Sequence, residues 1–248
     1  MVEMDTRSRF GVWSPANEYS LTPAEINVPL LPLTIDILKR EATTFARVES
    51  TYDEPSLFGV TDGKAIGTYI EHKFRAFVVS RYVVQEGNSA KGIDFPELNV
   101  DIKVTSERQP QSSCPFKSAR QKIFGLGYSL LVFVYSKSDD PSLRTARLSI
   151  GSMIFIDAPA TADYTMTLRL REMIKDGANQ DDIVAYFVDR NLPIDDIEAE
   201  RLAIEALQSP PEQGYLTISN ALQWRLQYGH ALRVAGAVAG VHRLATEL

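Results

Sequence analysis

Cysteine is almost absent: Cys114 stands alone among 248 residues, so an intrachain disulfide is impossible and a cysteine cage for zinc is excluded. Long apolar runs are also missing. None exceeds six residues, as in Leu130 to Tyr135, against the ~20 that a membrane helix requires. The opening residues, Met1-Val-Glu-Met-Asp-Thr-Arg7, lack the apolar segment of a secretory signal, so a cytoplasmic protein with no membrane partner is expected. His72, His230 and His242 are too dispersed for a helical zinc motif. Glycine and proline, 14 and 13 in number, are at ordinary levels, which rules out a fibrous or disordered chain. What is present suffices for a core: 44% of the residues are hydrophobic. The length fits one large domain, residues 1–248, with a helical extension.

The formal net charge of −6 argues at first against a nucleic-acid partner, but the charge is unevenly placed. Residues 64–122 hold ten Lys and Arg against six Asp and Glu, a local balance of +4. Residues 157–212 hold five against thirteen, a local −8, and 213–248 hold three against one. A basic face opposite an acidic back remains compatible with phosphate binding, because affinity follows local charge rather than its sum. The acidic block also reads simply as a solvated helical surface.

Along the chain, the opening 30 residues, with Pro15, Pro23, Pro29 and Pro32 in and beside them, read as irregular chain. The spacing of Ile35, Leu38, Ala42 and Phe45 predicts a helix over Thr34 to Glu49. A second starts after Asp62, as N-cap, and runs to Val79 with Ile66, Ile70, Phe74 and Phe77 as its stripe. The period then switches to two. Val100, Ile102 and Val104 alternate with Asp101, Lys103 and Thr105, after an approach over Gly87 to Leu98 and a turn at Pro96 to Asn99. A polar loop from Glu107 to Ser113 and a basic helix around Phe116 to Phe124 follow. Tyr128 to Tyr135 is apolar on both faces, as a central strand should be. A turn at Ser138 to Pro141, a strand over Thr145 to Ile156, and helices near 160–176, 180–190 and 194–208 come next. Pro210-Pro211 is a break, Tyr215 to Ser219 a short strand, and Asn220 the cap of a last helix bearing Trp224 and Tyr228. This order implies an α/β (α+β) fold, with a central mixed β-sheet flanked by helices. The core would span about 59–156 and a helical lobe about 157–248.

The chemistry-bearing stretch is Asp94-Phe-Pro-Glu-Leu-Asn-Val-Asp101-Ile-Lys103. Asp101 and Lys103, two apart on a strand, point to one side about 6.6 Å apart. Asp94, before the turn, can return its carboxylate to the same side. Two carboxylates at one place repel, and a divalent cation relieves this. Such an ion is what phosphodiester hydrolysis calls for. The same residues also read as an ordinary strand with a surface Asp–Lys salt bridge. Other motifs fall away. Gly59-Val-Thr-Asp-Gly63-Lys64-Ala65 has three intervening residues where a phosphate loop has four, and Gly127-Tyr-Ser129-Leu-Leu131 lacks the second glycine of a nucleophile elbow. Cys114, next to Pro115, reads as a buried structural thiol.

Lys91-Gly-Ile-Asp94-Phe-Pro-Glu-Leu-Asn-Val-Asp101-Ile-Lys103-Val-Thr-Ser106 resembles the metal-site hairpin of the PD-(D/E)XK nuclease superfamily. Its six-residue gap is similar to that of the strand-nicking endonuclease of mismatch repair and its restriction-enzyme relatives. With Ser112-Ser-Cys-Pro-Phe-Lys-Ser-Ala-Arg120 and Tyr128 to Lys137 in order behind it, the chain resembles type II restriction endonucleases over about 59–137. A loose echo follows in Gly214 to Arg225. The pattern departs from the superfamily in having Asp where many relatives have Glu at 101, and Ile93 before Asp94 where the eponymous proline would stand.

The resemblance implies that Asp94 and Asp101 ligate Mg2+, with the Ile102 carbonyl as a third ligand. Lys103 would orient or deprotonate the attacking water and steady the phosphate. Glu71, at the edge of its helical stripe, is a further candidate for the site; an i,i+4 pair with Arg75 is its other reading. Arg108, Gln109, Gln111, Ser112, Ser113, Lys117 and Arg120 would face the duplex, though a solvated helix accounts for such residues as well. The expected activity is Mg2+-dependent cleavage of a specific double-stranded DNA sequence by a homodimer, with the lobe 157–248 a candidate dimer or clamp surface. The rivals are a monomeric strand-nicking repair nuclease and a non-catalytic DNA-binding or interaction protein.

Overall fold

The computed structural model of the chain describes residues 30–84, 92–114, 117–219 and 224–244. β1 (Leu31–Pro32) leads into α1 (Ile35–Glu49), capped by Thr34, whose hydroxyl accepts from the Ile37 amide at 3.3 Å. β2 (Asp53–Glu54) precedes α2 (Gly63–Val79), capped by the Asp62 carboxylate on the Lys64 amide at 3.0 Å. Both helices sit where the sequence places them. In α2 the buried stripe is Ile66, Ile70, Phe74 and Val78 at strict four-residue spacing, so Phe77 is displaced to its flank and only partly buried. β3 (Tyr82–Val83) pairs in parallel with β1.

The chain then lays down β4 (Val100–Ser106), β5 (Gln111–Cys114), α3 (Arg120–Phe124), β6 (Ser129–Asp140) and β7 (Thr145–Ile156). Helices α4 (Tyr164–Lys175), α5 (Gln180–Asp189) and α6 (Asp196–Gln208) follow. β8 (Thr217–Ile218), β9 (Trp224–Gln227), α7 (Gly229–Val234) and β10 (Val241–Leu244) complete the described chain.

The central sheet has the order β10-β7-β6-β4, with β2 also paired to β7. β4 runs parallel to β6, while β6–β7 and β7–β10 are antiparallel, so the sheet is mixed as expected. β6 is covered on both faces. Leu131, Phe133 and Tyr135 join Val100 and Ile102 of β4 in a core shared with α1 and α2. Leu130, Val132 and Val134 face a second core with Cys114, Trp224, Leu226 and Tyr228. That second core underlies a separate sheet of order β5-β9-β8. A third core, including Leu170, Ile183, Phe187 and Leu202, holds α3 to α6 together. Part of the acidic block lies in first helical turns, Asp181 and Asp182 in α5 and Asp196 and Glu198 in α6, where the helix dipole favours it.

Several boundaries differ from the sequence reading. Ser138 to Asp140 continue β6 instead of turning; the reversal is at 141–144, where Asp140 accepts from the amides of Ser142 and Leu143 and Arg144 takes a φ of 53°. The polar loop contains β5, and the basic helix is confined to α3. Trp224 and Tyr228 do not share a helix: β9 begins at Trp224, and a short α7 and then β10 follow. Helices therefore fill 164–208, and the remainder of 157–248 supplies three strands. The readings at Pro15, Pro23, Pro29, residues 87–91, Pro115, Phe116 and Asn220 lie outside the described residues.

Asp163 ties these parts together. Its side chain is buried, and its two carboxylate oxygens accept from Met166 N (2.9 Å, starting α4) and from Ile218 N (2.8 Å, in β8). Asp163→Ala would leave two buried amides without acceptors, an expected loss of about 2–4 kcal/mol. At roughly 2–4 °C per kcal/mol for a chain of this size, calorimetry should record a melting temperature lower by about 4–16 °C. A drop below ~2 °C would show that Asp163 is not the tie described.

Candidate active site

β4 is the edge strand of the central sheet, so one row of its backbone groups has no strand partner. The chain before it folds back as a tight hairpin. Phe95 and Val100 exchange two backbone hydrogen bonds at 2.9 and 3.1 Å, and Asn99, with a φ of 54°, closes the turn while its amide holds the Gly127 carbonyl at 2.7 Å. This return brings Asp94 to the open edge, where its Oδ2 accepts from Ile102 N at 2.8 Å. The N–H and C=O of one strand residue leave on the same side, so the Ile102 carbonyl is also directed to that edge.

Asp101 and Lys103 leave the other face of the strand from Val100 and Ile102, as alternation requires, and form an ion pair with Nζ–Oδ2 of 2.7 Å. Asp101 is only 4% exposed. Burial pushes its carboxyl up to about 6, with Asp94 adding to the rise and Lys103 opposing it. Glu71 arrives from α2. One turn earlier Gly67 lies against Val104 of β4, with only 3.9 Å from the position of an added Cβ to that side chain, so the helix packs close to the strand. Burial pushes Glu71 up to about 7, helped by the charges of Asp94 and Asp101 and opposed by Lys103. For Lys103 burial acts downward, but Asp101, Asp94 and Glu71 outweigh it and hold the ammonium above its ordinary value. Among the described residues Glu71 makes no ion pair with Arg75.

Four sequence-predicted residues therefore meet electrostatically at one place. Three carboxylates share one ammonium, and when all are ionised the surplus negative charge is what a hard divalent cation with oxygen ligands offsets. The donor set fits such an ion through Asp94, Asp101 and the Ile102 carbonyl. Among the described residues, no three His, Cys, Asp or Glu side chains form a cage by themselves.

The expected DNA-facing residues divide. Arg108, Gln109, Ser113 and Lys117 are exposed and Gln111 is half-buried. Ser112 is turned inward by strand alternation, and its hydroxyl is 2.5 Å from the Tyr228 hydroxyl. Arg120 is committed elsewhere: its Nε donates to Glu205 of α6 at 3.1 Å and its guanidinium lies over Phe124. β5 hangs from β4 through Thr105. That hydroxyl lies 3.1 Å from the carbonyls of Gln109 and Gln111, donating to one, and accepts from Gln111 N at 2.9 Å. The partner strand β9 was not anticipated, although Trp224-Arg-Leu-Gln227 alternates buried and exposed residues and held that signal. Cys114 is buried, as expected.

Residues 32–243 match the family described as type II restriction enzyme NspV. The type II restriction enzyme NspV of Nostoc sp. (strain ATCC 29411 / PCC 7524) is 59% identical over 209 residues, which cover 84% of this chain and 95% of that protein. No solved structure matches.

The raised Asp101 carboxyl predicts a stability effect in metal-free protein. An acid whose folded pKa exceeds its unfolded value costs stability as pH climbs from about 4 through about 6, because the folded state binds the extra proton. Above that window Asp101→Asn should stabilise the fold by about 1–3 kcal/mol, read as a higher denaturation midpoint at pH 8 in EDTA. The gain should vanish near pH 4; equal stability of the two proteins at pH 8 would contradict the geometry.

Proposed function

The chain belongs to the NspV family of type II restriction enzymes, and we propose that it cuts both strands of a specific double-stranded DNA sequence with Mg2+, at the edge site built on β4. One observation supports this above the others: Asp94 is bonded to Ile102 N at the outer edge of β4, Asp101 is paired with Lys103 at 2.7 Å, and the charges of Asp94 and Glu71 also act on that ammonium. Type II restriction enzymes generally use a divalent metal, and Mg2+ suits a donor set made only of hard oxygens.

In this reading Asp94, Asp101 and the Ile102 carbonyl hold the ion. It would supply Lewis-acid polarisation of a phosphoryl oxygen and acidify a coordinated water. Lys103 orients the attacking water and steadies the scissile phosphate, and Glu71 reaches the same spot from α2. Water oxygen attacks phosphorus in line, the bond to the 3′-oxygen breaks, and the products are a 3′-hydroxyl and a 5′-phosphate. The water's protons pass to the departing oxygen and to solvent.

Arg108 and Lys117 would hold phosphates, while Gln109, Gln111 and Ser113 can reach base edges. Ser112 and Arg120 drop out of that set, since Tyr228 and Glu205 occupy them. One site per chain and two strands to cut favour a twofold dimer. The lobe 157–248 is the candidate surface, where Val188, Ile197 and Ile204 are large apolar side chains left exposed. We place the enzyme in the cytoplasm as a single domain with its core at about 59–156; among the described residues no helix is long and apolar enough to cross a membrane.

Purified protein with Mg2+ should convert supercoiled plasmid to discrete fragments with 5′-phosphate ends, and EDTA should stop it. Asp101→Ala should lower the cleavage rate at least ~1,000-fold, about 4 kcal/mol of barrier, while binding to the same DNA in Ca2+ persists. Cleavage retained in that variant would sink the site. Nicked circles as the end product, with a monomer on gel filtration, would sink the dimer.

A further inference from the structure

The small sheet beside the active site has two unlike faces. Register pairs Gln111 with Gln227 and Ser113 with Arg225 across β5 and β9, and Thr217 with Gln227 across β8 and β9. The inner face is mostly apolar: Cys114, Trp224, Leu226 and Ile218 are buried in the core beneath it, and Ser112 there is bonded to the Tyr228 hydroxyl. On the outer face Ser113, Thr217, Arg225 and Gln227 are exposed, Gln111 is half-buried, and none of the five is acidic. Among the described residues, the Arg225 guanidinium has no carboxylate within ion-pair distance. By contrast, Arg120, Arg147, Arg169 and Arg201 each meet one.

Its attachment places this face near the chemistry. Asp101, Lys103 and Thr105 alternate to one side of β4, and the Thr105 hydroxyl grips the start of β5. Tyr228, directly after β9, donates its amide to the Pro110 carbonyl at 2.8 Å. The strand make-up also suits a duplex. A two-stranded β-ribbon enters the major groove, about 12 Å wide, and β8 adds only two residues to the pair formed by β5 and β9. The side-chain set is the one that reads base edges there: arginine pairs bidentately with guanine, glutamine with adenine, and serine or threonine with either.

Resting on the restriction-enzyme reading, we propose that the outer face of the β5-β9-β8 sheet is the base-reading surface. It enters the major groove of double-stranded DNA with Arg225, Gln227 and Thr217 completing what Gln111 and Ser113 begin. Arg225 selects a guanine and Gln227 an adenine. The two strands come from distant parts of the chain, so neither segment by itself displays the full reading set.

The test uses the full chain. The sequence cut by the wild type is first mapped on a plasmid. Cleavage rates and Ca2+-supported binding are then measured on that duplex and on duplexes altered at one base pair each. For Arg225→Ala, Arg225→Lys and Gln227→Ala the melting temperature should stay near the wild type's. Each should lose about ten- to a hundredfold of its preference at one base pair and keep it at the others. Arg225→Lys retains the charge but not the planar fork, so it too should lose discrimination. Equal weakening on every duplex, with a shallower salt dependence, would mean phosphate contact and would overturn the proposal. Unchanged rates and preferences would overturn it as well. A wild type that cuts no DNA would overturn the restriction-enzyme reading and this surface with it, whereas a cutting wild type with unaltered variants would overturn the surface alone.

Discussion

The bond between the Asp94 carboxylate and the Ile102 amide is the constraint on which the active-site region depends. Among the described residues β4 has a strand neighbour only on its β6 side, and its other edge is met by the returning hairpin, through Phe95 and Asp94. A carboxylate does this from a hairpin turned back on the strand itself, and the two acidic residues are thereby forced together. Everything electrostatic at the site follows. Asp101 is buried beside Asp94, Lys103 is drawn onto Asp101, and Glu71 is held on the close-packed face of α2. Burial raises the carboxyls of Asp101 and Glu71 there, so ionising either one costs the fold stability.

The sheet divides the labour between its faces. Val100 and Ile102 lock β4 against α1 and α2, and that face is a conventional core with Phe45, Phe74 and Phe133 in edge-to-face or tilted contact. The opposite face releases Asp101, Lys103 and Thr105 toward the second sheet. The family match, residues 32–243, spans both sheets and the helices between them.

Much of this was legible beforehand, for local reasons. α1 announces itself through an apolar period of 3.6, and α2 through that period and the capping Asp62. β4 shows its period of two, and β6 is apolar on both sides. Asp101 and Lys103 could be nominated because strand alternation puts them on one side, Asp94 because the turn can return it there, and Glu71 from its place at the edge of the helical stripe and the family resemblance. What escaped depends on pairing between distant segments. β5 is four residues, three of them polar, and shows no period; β9 does alternate over its four residues, but Trp224 and Tyr228 are four apart, which imitates a helix and masks that signal. Ser112 and Arg120 looked available because their partners, Tyr228 and Glu205, are remote in the chain.

The Thr105 hydroxyl has one consequence that reaches beyond its hydrogen bonds. It lies two residues past Lys103 on a single paired strand, a rise of about 6.6 Å, and it clamps the bend through which β5 departs. The covalent chain thus acts as a ruler between the Asp101–Lys103 pair, the proposed cleavage site, and the sheet that follows. Thermal motion can tilt that sheet but cannot lengthen the tether, so the offset between a chosen base and the severed linkage would be the same at every turnover.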